Sequence, residues 1–250
     1  LDIWLFLATV AGLFCVIASA CVFNNYIDRI ADAKMARTKH RALVTGRISP
    51  QHALLFAVSL GIVGLVILGL YTNLLATFVA FVGFFIYVAL YSIWKYRTSY
   101  ATLVGSISGA TPPVIGYCAA SGTFDLGALL LFMILVLWQM PHFFSIAVYR
   151  LDDYTAASIP VLPTVKGMVT TKIHMLLYII GFTASTILLS FFGYTGTAYL
   201  VVALLVSLAW LLLCIKGFQS TNERLWARQM FAVSLVVIMA LSIAISVNTL

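Results

Sequence analysis

Asn24, Asp28 and Asp32 stand four residues apart in a chain where only 8% of residues are charged. On a helix that spacing stacks three oxygen-bearing side chains on one face, over roughly 12 Å at about 1.5 Å rise per residue. The residues leading in, from Ile3 to Phe23, are apolar enough to cross a bilayer, so the acids fall where a buried helix meets the membrane boundary. Acids in that position are costly and point to function. Hard oxygen ligands beside a basic loop suit Mg²⁺ holding a phosphorylated substrate. The competing reading is a set of salt bridges to Arg29, Lys34 or Arg37.

Three further groups carry chemistry. Tyr87, Tyr91 and Lys95 repeat the same spacing at the end of another apolar stretch. Each also fits an interfacial anchor, but hydroxyls and an ammonium beside the acids can bind a departing phosphate. The run Trp138-Gln139-Met140-Pro141-His142-Phe143 puts a histidine inside an apolar helix that Pro141 should kink. His142 reads as a hydrogen-bonded core residue or as a contact for a substrate ring or haem iron. Asp152 and Asp153 then open a loop on the same side, where Asp153 can close a second metal site.

These groups must be held by membrane helices. Hydrophobic residues make up 63% of the 250, against about 45 to 50% in a soluble domain. Windows of about 20 apolar residues fall near 3–23, 51–71, 73–94, 101–120, 124–149, 173–193, 197–215 and 229–248. The expected fold class is therefore all-α, a polytopic transmembrane bundle of eight helices forming a single domain over 1–250. The alternation of a β-barrel is absent from the sequence. In the 101–120 window, Ser106, Ser108, Gly109, Thr111, Pro112 and Pro113 predict a broken helix. The short connections at Tyr71–Asn73, Ser121–Asp125 and Tyr194–Thr197 predict antiparallel neighbours.

Arg29 to Arg47, Lys95 and Arg97, Arg150 to Lys172, and Lys216 to Arg228 hold all 14 Lys and Arg residues, on alternate loops. One face is thus basic and cytoplasmic by the positive-inside rule, and the net charge of +7 reports topology rather than nucleic-acid binding. This orientation sets Leu1 on the opposite face. Cys15, Cys21, Cys118 and Cys214 are scattered singly, without ligand or disulfide spacing.

Asn24-x-x-x-Asp28-x-x-x-Asp32, Tyr91-x-x-x-Lys95 and the Asp153 loop together resemble the UbiA superfamily of intramembrane prenyltransferases. More narrowly, the runs Asn24–Arg29, Met35–Lys39, Gly109–Tyr117, Trp138–His142 and Ile159–Pro163 are similar to the haem O synthase branch, whose members are protohaem IX farnesyltransferases. The superfamily is a nine-helix bundle, which implies a further helix before Leu1. The resemblance implies transfer of a farnesyl group from farnesyl diphosphate to a vinyl group of haem B, yielding haem O and diphosphate. It implies Mg²⁺ as cofactor, with Asn24, Asp28, Asp32 and Asp153 as ligands, and Asp28, Asp32, Tyr91, Lys95 and Asp153 as catalytic residues. Asn24, Arg37, Lys39, Arg41, Lys95, Arg150 and Lys166 would bind the diphosphate, and His142 the haem. Four residues after Asp153 comes Ala157 rather than a second acid, so the second metal position is the less complete one. The implied setting is the lipid bilayer of a bacterial inner membrane, with the site toward the cytoplasm and a haem A synthase or terminal oxidase assembly downstream. A prenyltransferase acting on an aromatic quinone precursor, a secondary transporter, or a non-enzymatic haem-binding protein are the alternatives.

Overall fold

The computed structural model describes residues 2–249, and among them there is no β-strand. Seven helices among the described residues are long and apolar enough to cross a membrane: α1 (Ile3–Asp32), α2 (Pro50–Tyr71), α3 (Leu74–Trp94), α6 (Leu126–Tyr149), α9 (Met168–Phe191), α10 (Thr197–Gln219) and α11 (Glu223–Val247). The eighth apolar stretch is two short helices, α4 (Ala101–Gly109) and α5 (Thr111–Ser121), and not one continuous span. The break falls at Ala110, because the ring of Pro112 and that of Pro113 clash with the preceding turn and neither nitrogen can donate. Two more short helices, α7 (Leu151–Ala156) and α8 (Leu162–Val165), lie in the connection after α6. That helix runs unbroken through Pro141, and Ser145 Oγ donates to the Pro141 carbonyl at 2.7 Å.

Contacts gather these elements into two compact units. One comprises the residues up to Ala128 together with Asp152–Pro160, the other Leu129–Leu151 together with the residues from Val161 onward. In the first unit α1 and α2 pack antiparallel through small residues. Ser19 Oγ donates to the Ala57 carbonyl at 2.6 Å. A Cβ on Gly64 would lie 2.7 Å from the Gly12 carbonyl and 2.8 Å from the Val16 nitrogen, so only hydrogen fits there. Such contacts let backbones approach where lipid supplies no hydrophobic drive between helices.

Asn73 ties α3 to α5. Its carbonyl oxygen caps α3 by accepting from Ala76 N at 2.8 Å, and its amide donates to the Cys118 carbonyl at 2.8 Å. Asn73→Ala removes both, and we expect a loss of about 1–3 kcal/mol, checked by thermal unfolding in detergent micelles.

In the second unit Lys172, 4% exposed, joins three elements. Its ammonium donates to the Gly217 carbonyl at 2.7 Å and to Glu223 Oε1 at 2.5 Å, and it sits 5.1 Å above the Trp226 ring. This ties the start of α9 to the end of α10 and the start of α11.

Candidate active site

Thirty residues of α1 measure roughly 45 Å, longer than the roughly 30 Å hydrocarbon core. The helix therefore continues past the apolar window to Asp32, and Asn24, Asp28 and Asp32 lie on one uninterrupted helix. Asp28 is surrounded by donors. Its Oδ1 receives the Lys95 ammonium at 2.5 Å and the Tyr96 hydroxyl at 2.6 Å, and its Oδ2 receives the Asn24 amide at 3.0 Å. Lys95 also donates to Asn24 Oδ1 at 2.7 Å, so the amide cannot rotate without losing both bonds.

Lys95 reaches this place from the end of α3, where the turn over Ile86–Tyr91 widens to a π-helix. The Ser92 N–H donates to the Tyr87 carbonyl five residues back, and the Tyr87 and Tyr91 rings stack with centroids 5.2 Å apart. The Lys95 ammonium lies 5.2 Å from the Tyr91 centroid and 5.5 Å from that of Tyr96, in cation–π range. Gly105 leaves room for the Tyr91 ring, since a Cβ there would stand 3.0 Å from it. Lys95 is 7% exposed. Burial pulls its pKa below the ordinary 10.5, and the Asp28 carboxylate opposes that by charge and hydrogen bond. Burial, then the bond to Asp28, pushes the Tyr96 hydroxyl well above its usual range, so it remains a donor.

Asp32 is 4% exposed and pairs with Arg41 Nη1 at 2.6 Å. Its backbone carbonyl accepts from Thr38 Oγ1 at 3.1 Å, which folds the loop after α1 back over the site. The same loop is pinned from α7, where Asp153 Oδ1 accepts from the Ala36 N–H at 3.2 Å. Beneath it Ala31, Met35 and Ala157 form a small core with Tyr154 and Ile159. Arg37 and Lys39 are exposed on this loop.

The first unit thus brings together Asn24, Asp28, Asp32, Arg41, Tyr91 and Lys95, and it holds Asp153 and the loop bearing Arg37 and Lys39. Arg150, Lys166 and His142 belong to the second unit. There Arg150 stacks on Tyr149 at 5.3 Å, and Lys166 caps α8, donating its N–H to Leu162 O at 2.8 Å. His142 Nδ1 bonds Ser234 Oγ at 2.7 Å, and its ring lies 4.8 Å from both Trp138 and Phe231. The salt-bridge partners expected near the acids are replaced by others: Arg29 turns back to the Tyr26 carbonyl at 2.6 Å, while Lys95 and Arg41 take Asp28 and Asp32. Tyr96 also belongs to the site, and its only sequence signal is adjacency to Lys95.

Among the described residues no three His, Cys, Asp or Glu side chains converge as a self-sufficient metal cage. Two carboxylates one helical turn apart suit Mg²⁺, which keeps several waters and takes its remaining ligands from substrate phosphates. The donor set therefore fits an ion that arrives with a diphosphate.

The profile of the UbiA prenyltransferase family matches residues 1–236. The chain belongs to the UbiA prenyltransferase family. It is 54% identical to a protoheme IX farnesyltransferase from Protochlamydia amoebophila over 241 residues, which covers 96% of this chain and 85% of that protein. A protoheme IX farnesyltransferase from Yersinia enterocolitica is 51% identical over 249 residues, 99% of this chain and 84% of that one. The UbiA fold is shared with a solved digeranylgeranylglyceryl phosphate synthase at a TM-score of 0.83 and 18% identity, over 99% of this chain and 86% of that one. A UbiA homologue from Archaeoglobus fulgidus, solved bound to DMAPP and Mg²⁺, aligns at a TM-score of 0.70 and 15% identity over 98% of this chain and 89% of that one. This UbiA family chain is an integral membrane protein, with seven membrane-length helices among its described residues.

Proposed function

We propose that residues 1–250 work as one prenyltransferase domain that moves a farnesyl group from farnesyl diphosphate onto a vinyl group of haem B, releasing haem O and diphosphate. The observation that carries this reading is the 54% identity, across 96% of the chain, to a relative named as a protoheme IX farnesyltransferase. In this reading the chain lies in a bacterial inner membrane with Asp28 and Lys95 toward the cytoplasm, on the side bearing all 14 Lys and Arg residues.

Asp28 and Asp32, with Asn24 and Asp153 as further oxygen donors, would hold Mg²⁺. When bound, the ion supplies charge neutralisation on the leaving diphosphate. Lys95 and Arg41 stand beside the acids, and Arg37 and Lys39 lie on the loop that Asp153 pins, so they can donate to diphosphate oxygens. Tyr91 orients the Lys95 ammonium through its ring face. The farnesyl C–O bond breaks with its electron pair leaving on the diphosphate. The haem vinyl π pair then forms the new C–C bond. Water adds to the resulting porphyrin-side cation and loses a proton, giving the hydroxyethylfarnesyl group. No protein nucleophile is needed, and aromatic ring faces can stabilise the allylic cation.

Purified chain in nanodiscs, supplied with farnesyl diphosphate, haem B and Mg²⁺, should form haem O detectable by mass spectrometry. Omitting Mg²⁺ should stop product formation.

His142 is the proposed porphyrin contact, because Ser234 fixes its Nδ1 and leaves Nε2 as the remaining ring nitrogen. His142→Ala is expected to weaken haem B binding by about tenfold and to shift its absorption bands. An unchanged spectrum and affinity would remove His142 from this role.

A further inference from the structure

Asp28 and Asp32, which the proposed clamp would offer to a metal, are already paired with the protein's own cations. Asp28 accepts Lys95 at 2.5 Å, Tyr96 at 2.6 Å and Asn24 at 3.0 Å. An ionised carboxylate has about four lone-pair sites, so three of them are filled. The Asn24 oxygen is likewise taken, by Lys95 at 2.7 Å. Arg41 holds Asp32 at 2.6 Å.

A divalent ion that takes both oxygens of Asp28 must displace the Lys95 ammonium from Oδ1, and one that takes Oδ2 alone sits against that unshielded cation. That ammonium cannot retreat cheaply. Lys95 is 7% exposed, so once parted from Asp28 it is a buried charge without a counter-ion. A diphosphate approaching alone meets cations whose charge the acids already neutralise. Only the pair satisfies every group: carboxylates turn to the metal, and the released cations turn to the diphosphate. Arg41 has a side chain 34% exposed, against 8% for Lys95, so water can compensate Arg41 and the burden falls on Lys95.

We propose that Lys95, supported by Arg41, is a resident counter-ion that a divalent metal must displace or sit against, so that metal and diphosphate bind as a coupled pair and metal alone binds poorly. This rests on the clamp reading given under Proposed function. Lys95 thereby acts twice, opposing a bare ion at Asp28 and then gripping the substrate's diphosphate. The coupling is reciprocal, since by linkage the metal must tighten diphosphate binding by the same factor.

The test measures Mn²⁺ binding to the full chain in nanodiscs by electron paramagnetic resonance, with and without inorganic diphosphate. In the unaltered protein diphosphate should tighten Mn²⁺ binding by at least about tenfold. Lys95→Met should bind Mn²⁺ alone at least about tenfold more tightly than the unaltered protein, and diphosphate should then add little. Lys95→Gln, which keeps a polar head, serves should the methionine variant unfold, and the same tightening is expected. Mn²⁺ affinity unchanged or weakened in a folded Lys95 variant overturns the counter-ion role while leaving the clamp standing. Undiminished Mn²⁺ and diphosphate binding in Asp28→Asn overturns the clamp reading and this inference together.

Discussion

Asp28→Asn should leave the protein inserted in the membrane and lower haem O formation by about two to three orders of magnitude, the scale expected when charge stabilisation at a reacting centre is removed. The substitution is nearly isosteric, yet it strikes all three donors that Asp28 accepts. It removes the negative charge that the proposed Mg²⁺ needs. It also presents an amide where Oδ1 and Oδ2 now accept three donors, and Asn24 cannot turn to compensate because its oxygen is held by Lys95. Lys95 is left buried without its counter-charge, and breaking a buried pair in this way costs about 3–5 kcal/mol.

The stability effect should depend on pH in a defined direction. Burial already lowers the Lys95 pKa from 10.5, and the charge and hydrogen bond of Asp28, with a smaller contribution from the charge of Asp32, oppose that. Without Asp28 it falls further, so the folded state binds fewer protons than the unfolded state between that lowered value and 10.5. Stability of the variant therefore rises with pH through that window, and its deficit against the unaltered protein narrows. A deficit that widens on alkalinisation would mean that Lys95 is not the group left uncompensated. Thermal unfolding from neutral pH upward reads this separately from turnover.

Gly64→Leu should be strongly destabilising although it lies remote from the acids. Already the Cβ would stand 2.7 Å from the Gly12 carbonyl and 2.8 Å from the Val16 nitrogen, and these are backbone atoms of α1 that cannot rotate away. The helices must part. Overpacking costs about 1–3 kcal/mol where side chains can shift, and more is expected where they cannot. Because α1 also carries Asn24, Asp28 and Asp32, the displacement should reach the site and lower activity in the protein that remains folded. Gly69→Ala on the same helix is the control. Its Cβ would meet nothing nearer than Thr77 Oγ1 at 3.9 Å, so a neutral or slightly stabilising effect is expected from the helix propensity of alanine. Equal melting temperatures for the two variants would contradict the packing argument.

Periodicity is the part of the candidate site that is legible in the sequence. Asn24, Asp28 and Asp32 share a face because α1 is a regular helix through all three, and Lys95 was visible at the end of the stripe begun by Tyr87 and Tyr91. The break between α4 and α5 was legible in Pro112 and Pro113, whose chemistry acts locally. What was not legible depends on tertiary placement. Tyr96 reaches Asp28 across 68 positions of sequence. Asp153 meets a backbone N–H of Ala36, which carries no side-chain signal at all. The π turn over Ile86–Tyr91 has the composition of an ordinary apolar helix, so nothing in its residues marks the widened register. Arg41 was expected at the diphosphate, and its pairing with Asp32 depends on how the intervening loop folds back.

The acceptor distinguishes haem O synthesis from every alternative chemistry of this fold. Purified chain in nanodiscs should be given farnesyl diphosphate and Mg²⁺ with either haem B or an aromatic quinone precursor, and both diphosphate release and prenylated product measured. Equimolar haem O and diphosphate with haem B, and neither product with the quinone precursor, is the expected result. Diphosphate released only with the quinone precursor, or haem B bound without any turnover, would contradict it.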